Sequence, residues 1–201
     1  MTAPTVVLLG DSIFDNAAYV AGGPNVVAQL AEALPSGWRA TLCAVDGAVV
    51  ADVPRQVARI PREATHLVLS AGGNDALGYI GILERKAGSV AEVLDLLTDM
   101  RDRFASAYRA LVAMLVERGL PLTICTIYEG NLPDAALQRR AATALALFND
   151  AIHRTASEFR LPVIDLRLVC TEPADYANPI EPSVRGGRKI AAAIAARVTG
   201  G

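Results

Sequence analysis

Five short runs of this chain are apolar at nearly every position, and longer segments with helical spacing separate them. Runs that are apolar throughout, rather than alternating with polar residues, are typical of strands in a parallel sheet that is covered on both faces. We therefore predict β-strands at residues 5–9, 40–45, 66–70, 121–126 and 161–165.

The intervening segments have the apolar spacing and end signals of helices. The longest has apolar residues from Val93 to Phe104 at helical intervals and stops at Gly119, while Gly-Gly-Pro puts Pro24 at the first position of another helix. The strand–helix alternation predicts an α/β fold, a three-layer α/β/α sandwich around a flavodoxin-like five-stranded parallel sheet. We expect a single domain over residues 1–201. Helices are predicted at residues 24–34, 51–60, 90–118, 134–159 and 187–198.

The amino-acid composition excludes several classes of protein. Of the 201 residues, 52% are hydrophobic and only 5% are aromatic, so the core is expected to consist mostly of aliphatic side chains. The 19 basic and 21 acidic residues give a formal net charge of −2, which argues against a nucleic-acid-binding protein. The sequence has no run of ~18 apolar residues, so no membrane span is expected.

The N-terminus and the cysteines bear on the cellular location. Residues 1–10 have no basic region before their apolar stretch, which favours a first strand over a signal peptide. Cys43, Cys125 and Cys170 lie in apolar surroundings without the spacing of metal ligands, and this favours reduced core thiols over a disulfide. We therefore expect a cytoplasmic protein that needs neither a metal nor a cofactor.

A candidate nucleophile follows the first predicted strand. The strand runs directly into Gly10-Asp11-Ser12, and in a parallel α/β sheet ligands bind beyond the carboxyl ends of the strands. Ser12 would face that crevice, and its N–H could point at an oxyanion near a helix start. Asp11 and Ser12 are also favoured helix caps, so this segment alone leaves capping and catalysis open.

Polar and glycine residues also follow the second and third predicted strands. Gly72-Gly73-Asn74-Asp75 follows the third strand, where the glycines allow close approach of a ligand and Asn74 offers a neutral donor. A glycine-rich turn with Asn74 and Asp75 in local hydrogen bonds is the alternative. The second strand leads to Gly47, which on its own indicates little.

Taken together, these segments resemble the SGNH-type (GDSL) hydrolase family over essentially the whole chain. Gly10-Asp11-Ser12 is similar to the family's first block, whose serine is the nucleophile, and Gly72-Gly73-Asn74-Asp75 is similar to its asparagine block. The resemblance implies that the Ser12 N–H, the Gly47 N–H and the Asn74 amide stabilise a tetrahedral intermediate. It also implies a small-molecule ester substrate. Asp11, Asp15 and Asn16 are expected to fix the Ser12 loop by local hydrogen bonds, and Asp75 is expected to brace the Asn74 loop.

The resemblance fails at the family's last block, Asp-x-x-His, in which the histidine is the general base. The matching residues here are Asn178 and Glu181. Neither histidine of the chain is a good substitute, since His66 begins the third strand at the opposite end of the sheet and His153 lies within a long helix. A Ser–His dyad is therefore not expected.

Three interpretations of Glu181 remain open. Glu181 could accept the Ser12 proton, with burial raising its pKa and with Asn178 donating a hydrogen bond to it. The chain could instead be a non-catalytic ligand-binding pseudoenzyme of the same fold. Finally, Glu181 could be a structural residue that caps the last helix. A carboxylate within ~3.2 Å of the Ser12 hydroxyl would favour catalysis, whereas pairing with Arg185 would disfavour it.

The segment at residues 78–86 lies between the Asn74 loop and the longest helix, and it is a candidate lid. Its sequence is apolar, which would suit an acyl chain, although simple packing is the alternative.

Overall fold

The computed structural model describes residues 3–200, and its centre is a five-stranded parallel sheet. The order β2-β1-β3-β4-β5 confirms the predicted flavodoxin-like arrangement. Met1, Thr2 and Gly201, at the ends of the predicted domain, lie outside the described residues. The strands are β1 (Thr5–Gly10), β2 (Arg39–Leu42), β3 (His66–Ser70), β4 (Leu122–Cys125) and β5 (Val163–Ile164).

Helices cover both faces of the sheet and complete the predicted α/β/α sandwich. No helix in the described part of the chain is both long enough and apolar enough to cross a membrane. Within residues 3–200 the α-helices are α1 (Val26–Ala33), α2 (Val53–Val57), α3 (Gly73–Leu77), α4 (Val90–Val116), α5 (Ala135–Phe159), α6 (Leu166–Val169) and α7 (Val184–Thr199).

Four of the five predicted helix starts differ from the structure, and two of the differences are explained by caps. Pro24 is not the first helical residue. The Asn25 side chain accepts the N–H of Ala28 and caps the helix, so α1 begins at Val26. The last helix starts at Val184 rather than at residue 187, since Ser183 caps it. The sequence pattern also missed α3 and α6, which are too short to show a helical period.

The two faces of β1 carry two separate apolar clusters. Val7 and Leu9 point toward a layer formed by α2, α4 and α5, whereas Val6 and Leu8 point toward α1 and α7. Because successive side chains alternate across a strand, a central strand covered on both sides is apolar at every position. All six residues of β1 are buried, which makes it the rigid support for the loop that follows.

The end of β1 turns sharply at Gly10. Its φ of +129° favours glycine, and a Cβ there would overlap the carbonyl oxygen of Ser70. The buried Gln56 side chain accepts the Gly10 N–H at 2.8 Å and donates to its carbonyl oxygen at 2.7 Å. Gln56 therefore satisfies both backbone groups of Gly10 where the chain leaves β1 for the Ser12 loop.

Candidate active site

Ser12 and Glu181 meet at the carboxyl edge of the sheet. Ser12 lies in the turn after β1, and Glu181 lies in the loop just before α7. Ser12 Oγ donates a hydrogen bond of 3.0 Å to Glu181 Oε1, and the two residues are 7% and 5% exposed. A buried serine within hydrogen-bond reach of a carboxylate has the geometry of a nucleophile and its base.

Burial changes the acidity of the Glu181 carboxyl. Removal from water disfavours the charged form and raises its pKa to about 7, with a further rise from the nearby Asp46 charge. The hydrogen bond from Ser12 acts in the opposite direction. No described residue donates to Glu181 Oε2, which is buried, so Ser12 is the side chain that compensates this carboxylate.

Hydrogen bonds to the backbone of the Glu181 loop, rather than a side chain that binds the carboxylate, hold this loop in place. The predicted hydrogen bond from Asn178 to the Glu181 carboxylate is not formed. Instead Asn178 Oδ1 accepts the N–H groups of Ile180 and Glu181, both at 2.9 Å, in a local turn. From the neighbouring loop, the Tyr128 hydroxyl donates to the Ile180 carbonyl at 2.6 Å, and the Asn131 N–H donates to the Pro179 carbonyl at 2.8 Å.

The structure does not support a capping role for Glu181. Ser183 is the N-cap of α7, because its hydroxyl accepts the N–H of Gly186. Arg185 forms an ion pair with Glu172, so it does not compete with Ser12 for Glu181. The interpretation of Glu181 as a helix cap is therefore wrong.

The loop that carries Gly47 lies against the start of α3. Gly47 has a φ of +76°, and a Cβ at this position would meet no atom within 4 Å. Asn74 Nδ2 donates to the Ala48 carbonyl at 3.0 Å, and Asp75 Oδ2 accepts the Val50 N–H at 3.0 Å. Asn74 and Asp75 therefore both fix the Gly47 loop, whereas Asp75 was expected to brace its own loop.

Asp11 is a second buried carboxylate beside the Ser12–Glu181 pair. It is 3% exposed, and its Oδ1 accepts the N–H of Ile13 at 3.2 Å. Burial is the main cause that raises the pKa of Asp11 to about 7, and the charges of Glu181 and Asp75 add to it. The ionisation of Asp11 therefore depends in part on whether Glu181 is charged.

Asn16 connects the Ser12 loop with the Glu181 loop. Its side chain is fully buried, accepts the Val26 N–H at 2.9 Å and donates to the Pro182 carbonyl at 3.2 Å. The sequence suggested only local hydrogen bonds for this residue. The contact of Gln56 with Gly10 was not predicted at all. Neither Asn16 nor Gln56 belongs to a sequence motif that marks a long-range contact.

Both histidines lie away from the pair. His66 starts β3, at the amino end of the sheet, where its ring packs against Trp38 at a centroid distance of 5.3 Å. His153 lies on α5 with its Nε2 3.4 Å from Arg167. Within residues 3–200, no group of three or more His, Cys, Asp or Glu side chains is placed to hold a metal ion.

A cavity of about 140 Å³ opens beside Ser12 and Glu181. The loops at the edge of the sheet form its polar end, where Asp11, Asn74 and Tyr128 also line it. The rest of the wall comes from α3 and the turn after it, from α4 and from α5, and it is largely apolar. The structure therefore places an apolar chamber next to the candidate nucleophile.

The fold is similar to those of several solved esterases and lipases. An acetyl xylan esterase, AlAXEase, has a TM-score of 0.69 and 18% identity, with 96% of this chain and 99% of that chain covered. A phospholipase A1 from Streptomyces albidoflavus NA297 has a TM-score of 0.69 and 15% identity, covering 98% and 99%. An extracellular lipase from Streptomyces rimosus has a TM-score of 0.66 and 14% identity, covering 98% and 100%.

Sequence comparison identifies the family. No curated protein matches the chain significantly. The sequence profile of the GDSL-like lipase/acylhydrolase family matches residues 8–188, a span that includes Ser12, Gly47, Asn74 and Glu181. This match covers most of the chain, and the α/β fold agrees with it. The chain belongs to the GDSL-like lipase/acylhydrolase family of hydrolases.

Proposed function

We propose that this protein is a serine ester hydrolase in which Ser12 forms an acyl-enzyme and Glu181 replaces the usual histidine base. The hydrogen bond of 3.0 Å between Ser12 Oγ and Glu181 Oε1 carries this proposal. The relatives described as an acetyl xylan esterase, a lipase and a phospholipase A1 support an ester as the substrate class.

Glu181 has the acidity that this role requires. An ordinary glutamate, with a pKa of about 4.3, is too weak a base to take a proton from serine efficiently near neutral pH. Burial raises the pKa of Glu181 to about 7, which brings its basicity close to that of an imidazole. The base is therefore ionised, and still strong, just above neutral pH.

The reaction then follows from the positions of these groups. Ser12 Oγ bonds to the ester carbonyl carbon, its proton moves to Glu181 Oε1, and the carbonyl oxygen gains the electron pair. When the tetrahedral intermediate collapses, the bond to the alcohol breaks and Glu181 gives its proton to the leaving oxygen. A water molecule attacks the acyl-enzyme, Glu181 takes one of its protons, and Ser12 recovers a proton as the acid leaves.

The oxyanion donors in this proposal are the Ser12 N–H, the Gly47 N–H and the Asn74 amide. Among the described residues, neither of the two N–H groups has a hydrogen-bond acceptor, and the space beside Gly47 is open. Asn74 uses one amide hydrogen for the Ala48 carbonyl, so a second one remains for substrate. Loss of one such donor typically lowers kcat by about 10²–10³.

Hydrolysis of a p-nitrophenyl ester between about pH 4 and pH 9 tests the proposal. We expect the rate to rise through about pH 7, because protonated Glu181 cannot accept the serine proton. Asp11 also has a pKa of about 7, so its ionisation falls in the same part of the profile. Ser12→Ala and Glu181→Gln should each lower kcat by at least about 10².

Two exposed positions provide matched controls. Ser36→Ala and Glu32→Gln make the same chemical changes on the surface and should keep the wild-type rate. A Glu181→Gln variant with the wild-type rate would show that another group is the base. A wild type that hydrolyses no ester would instead favour the alternative, a ligand-binding protein of this fold without catalysis.

We also propose a cytoplasmic location. Cys43, Cys125 and Cys170 are all buried and free, which is the state expected of thiols in a reducing compartment.

A further inference from the structure

The cavity beside Ser12 continues away from the sheet edge into an apolar chamber. Its walls come from α3, from the turn over residues 80–84, and from the facing sides of α4 and α5. The aliphatic and aromatic side chains that form it include Leu77, Ile80, Leu83, Met100, Leu145 and Phe148. Its shape and chemistry suit a hydrocarbon chain, because alkyl groups gain free energy when apolar walls replace water.

One face of α5 sets the size of this chamber. Ala141, Ala144, Leu145 and Phe148 all line it, and their spacing places them on one side of the helix. Two of the four are alanines, which leave space in the chamber that larger side chains would fill. A residue of larger volume at Ala144 would therefore shorten the space available to a chain.

A polar group that does not line the chamber also lies near Glu181. The Tyr19 hydroxyl donates to Asp46 Oδ2 at 2.8 Å, and the Asp46 N–H donates to Asp15 Oδ2 at 3.0 Å. The Asp46 charge contributes to the pKa of Glu181, so this polar group lies near the carboxylate, and none of its members lines the chamber. Glu181 must protonate the leaving alcohol, which places the alcohol on its side of the site.

We propose, on the basis of the esterase function above, that the chamber binds the acyl chain of the ester. We expect chains of about six to eight carbon atoms, since the whole cavity, with its polar end, has a volume of about 140 Å³, close to the ~150 Å³ of a cavity that holds a six-carbon benzene ring. The substrate is thus a medium-chain acyl ester of a polar alcohol, not an acetyl ester. Ala144 is a specificity-determining residue that limits the length of the chain.

Two series of esters distinguish the acyl side from the alcohol side. In p-nitrophenyl esters from acetate to decanoate, we expect kcat/KM of the wild type to rise by up to about fourfold per methylene group and to peak near hexanoate or octanoate. In acetate esters of alcohols from ethanol to decanol, it should stay nearly flat. A rise that follows the alcohol instead of the acyl group would overturn the proposal.

The Ala144→Phe variant tests the position of the chain. The ratio of octanoate to acetate activity should fall at least about tenfold, because the new ring occupies the space of several methylene groups. Ala146→Phe makes the same change on an exposed position of α5 and should keep the wild-type ratio. An unchanged ratio in Ala144→Phe would overturn the assignment of the chamber.

Binding to the Ser12→Ala variant separates this inference from the proposed reaction. Neutral straight-chain carboxamides from acetamide to decanamide are suitable calorimetric probes, since the nearby carboxylates of Asp11 and Glu181 would repel carboxylic acids. Affinity should increase with chain length up to hexanamide or octanamide. An affinity that does not change with chain length would overturn the inference even if short esters are hydrolysed. If affinity increases with chain length but the wild type hydrolyses no ester, the chamber still binds a chain and only the proposed hydrolase activity is overturned.

Discussion

We expect the stability of Glu181→Gln relative to the wild type to increase as the solution becomes alkaline, although the variant lacks the proposed base. Glu181 is 5% exposed, and its pKa is about 7 in the folded protein. In the unfolded chain a glutamate is solvated and ionises near its ordinary value. Folding therefore works against the charged form, and glutamine, which has no charge at any pH, is free of this cost.

The sign and size of the effect follow from the two pKa values. Because the folded-state pKa is raised, the contribution of Glu181 to stability is fully present below about pH 4.5 and is lost as the pH rises through about 7. A rise in the pKa from 4.5 to about 7 corresponds to about 3 kcal/mol in the free energy of unfolding. For a domain of this size, that is roughly 6–12 °C in Tm.

Urea unfolding at about pH 5 and about pH 9 measures the effect. The stability of Glu181→Gln relative to the wild type should increase by about 3 kcal/mol between the two conditions. The glutamine amide also lacks a partner at the buried Oε2 position, but this cost is the same at both pH values and cancels. The exposed Glu32→Gln should show no such increase. An equal difference at both pH values would refute the buried, high-pKa carboxyl.

Two other substitutions test the charge environment and the support of the site. Asp46→Asn removes a negative charge near Glu181, so the midpoint of the pH–rate profile should move to lower pH, and a midpoint at or above the wild-type value would contradict the assigned cause. Gly10→Ala should cost more than about 3 kcal/mol in urea unfolding, because its Cβ would overlap the Ser70 carbonyl in addition to the strain of a positive φ, and a cost below about 1 kcal/mol would show that β1 can shift.

The sequence predicted the sheet because its strands are buried on both faces. Every residue of β1 is buried, so the apolar run was visible without knowledge of its neighbours. The strand order and the loops that carry Ser12, Gly47 and Asn74 then followed from the rules of parallel α/β folds. Glu181 was identified as a candidate base only through the family resemblance, because no local pattern marks a lone glutamate before a helix as a base.

The contacts that hold the site together were not predictable in the same way. Gln56 binds both backbone groups of Gly10 across 46 residues, and Asn16 reaches Pro182 across 166. Neither contact changes the periodicity or the turn chemistry of its own segment. The role of Asn178 was predicted wrongly because an asparagine side chain can either donate or accept a hydrogen bond. In this loop it accepts, since the backbone N–H groups of Ile180 and Glu181 point at its Oδ1.

The proposed nucleophile and its proposed base lie 169 residues apart in the sequence. During synthesis, β1 and Ser12 are translated before the loop that carries Glu181, and all five strands of the sheet precede that loop. A nascent chain can thus assemble much of its sheet without any capacity for turnover. A fragment that stops before residue 181 would be catalytically silent, however well it folds. On the proposed mechanism, ester hydrolysis would consequently report that translation has passed residue 181 and that the Glu181 loop has docked beside Ser12.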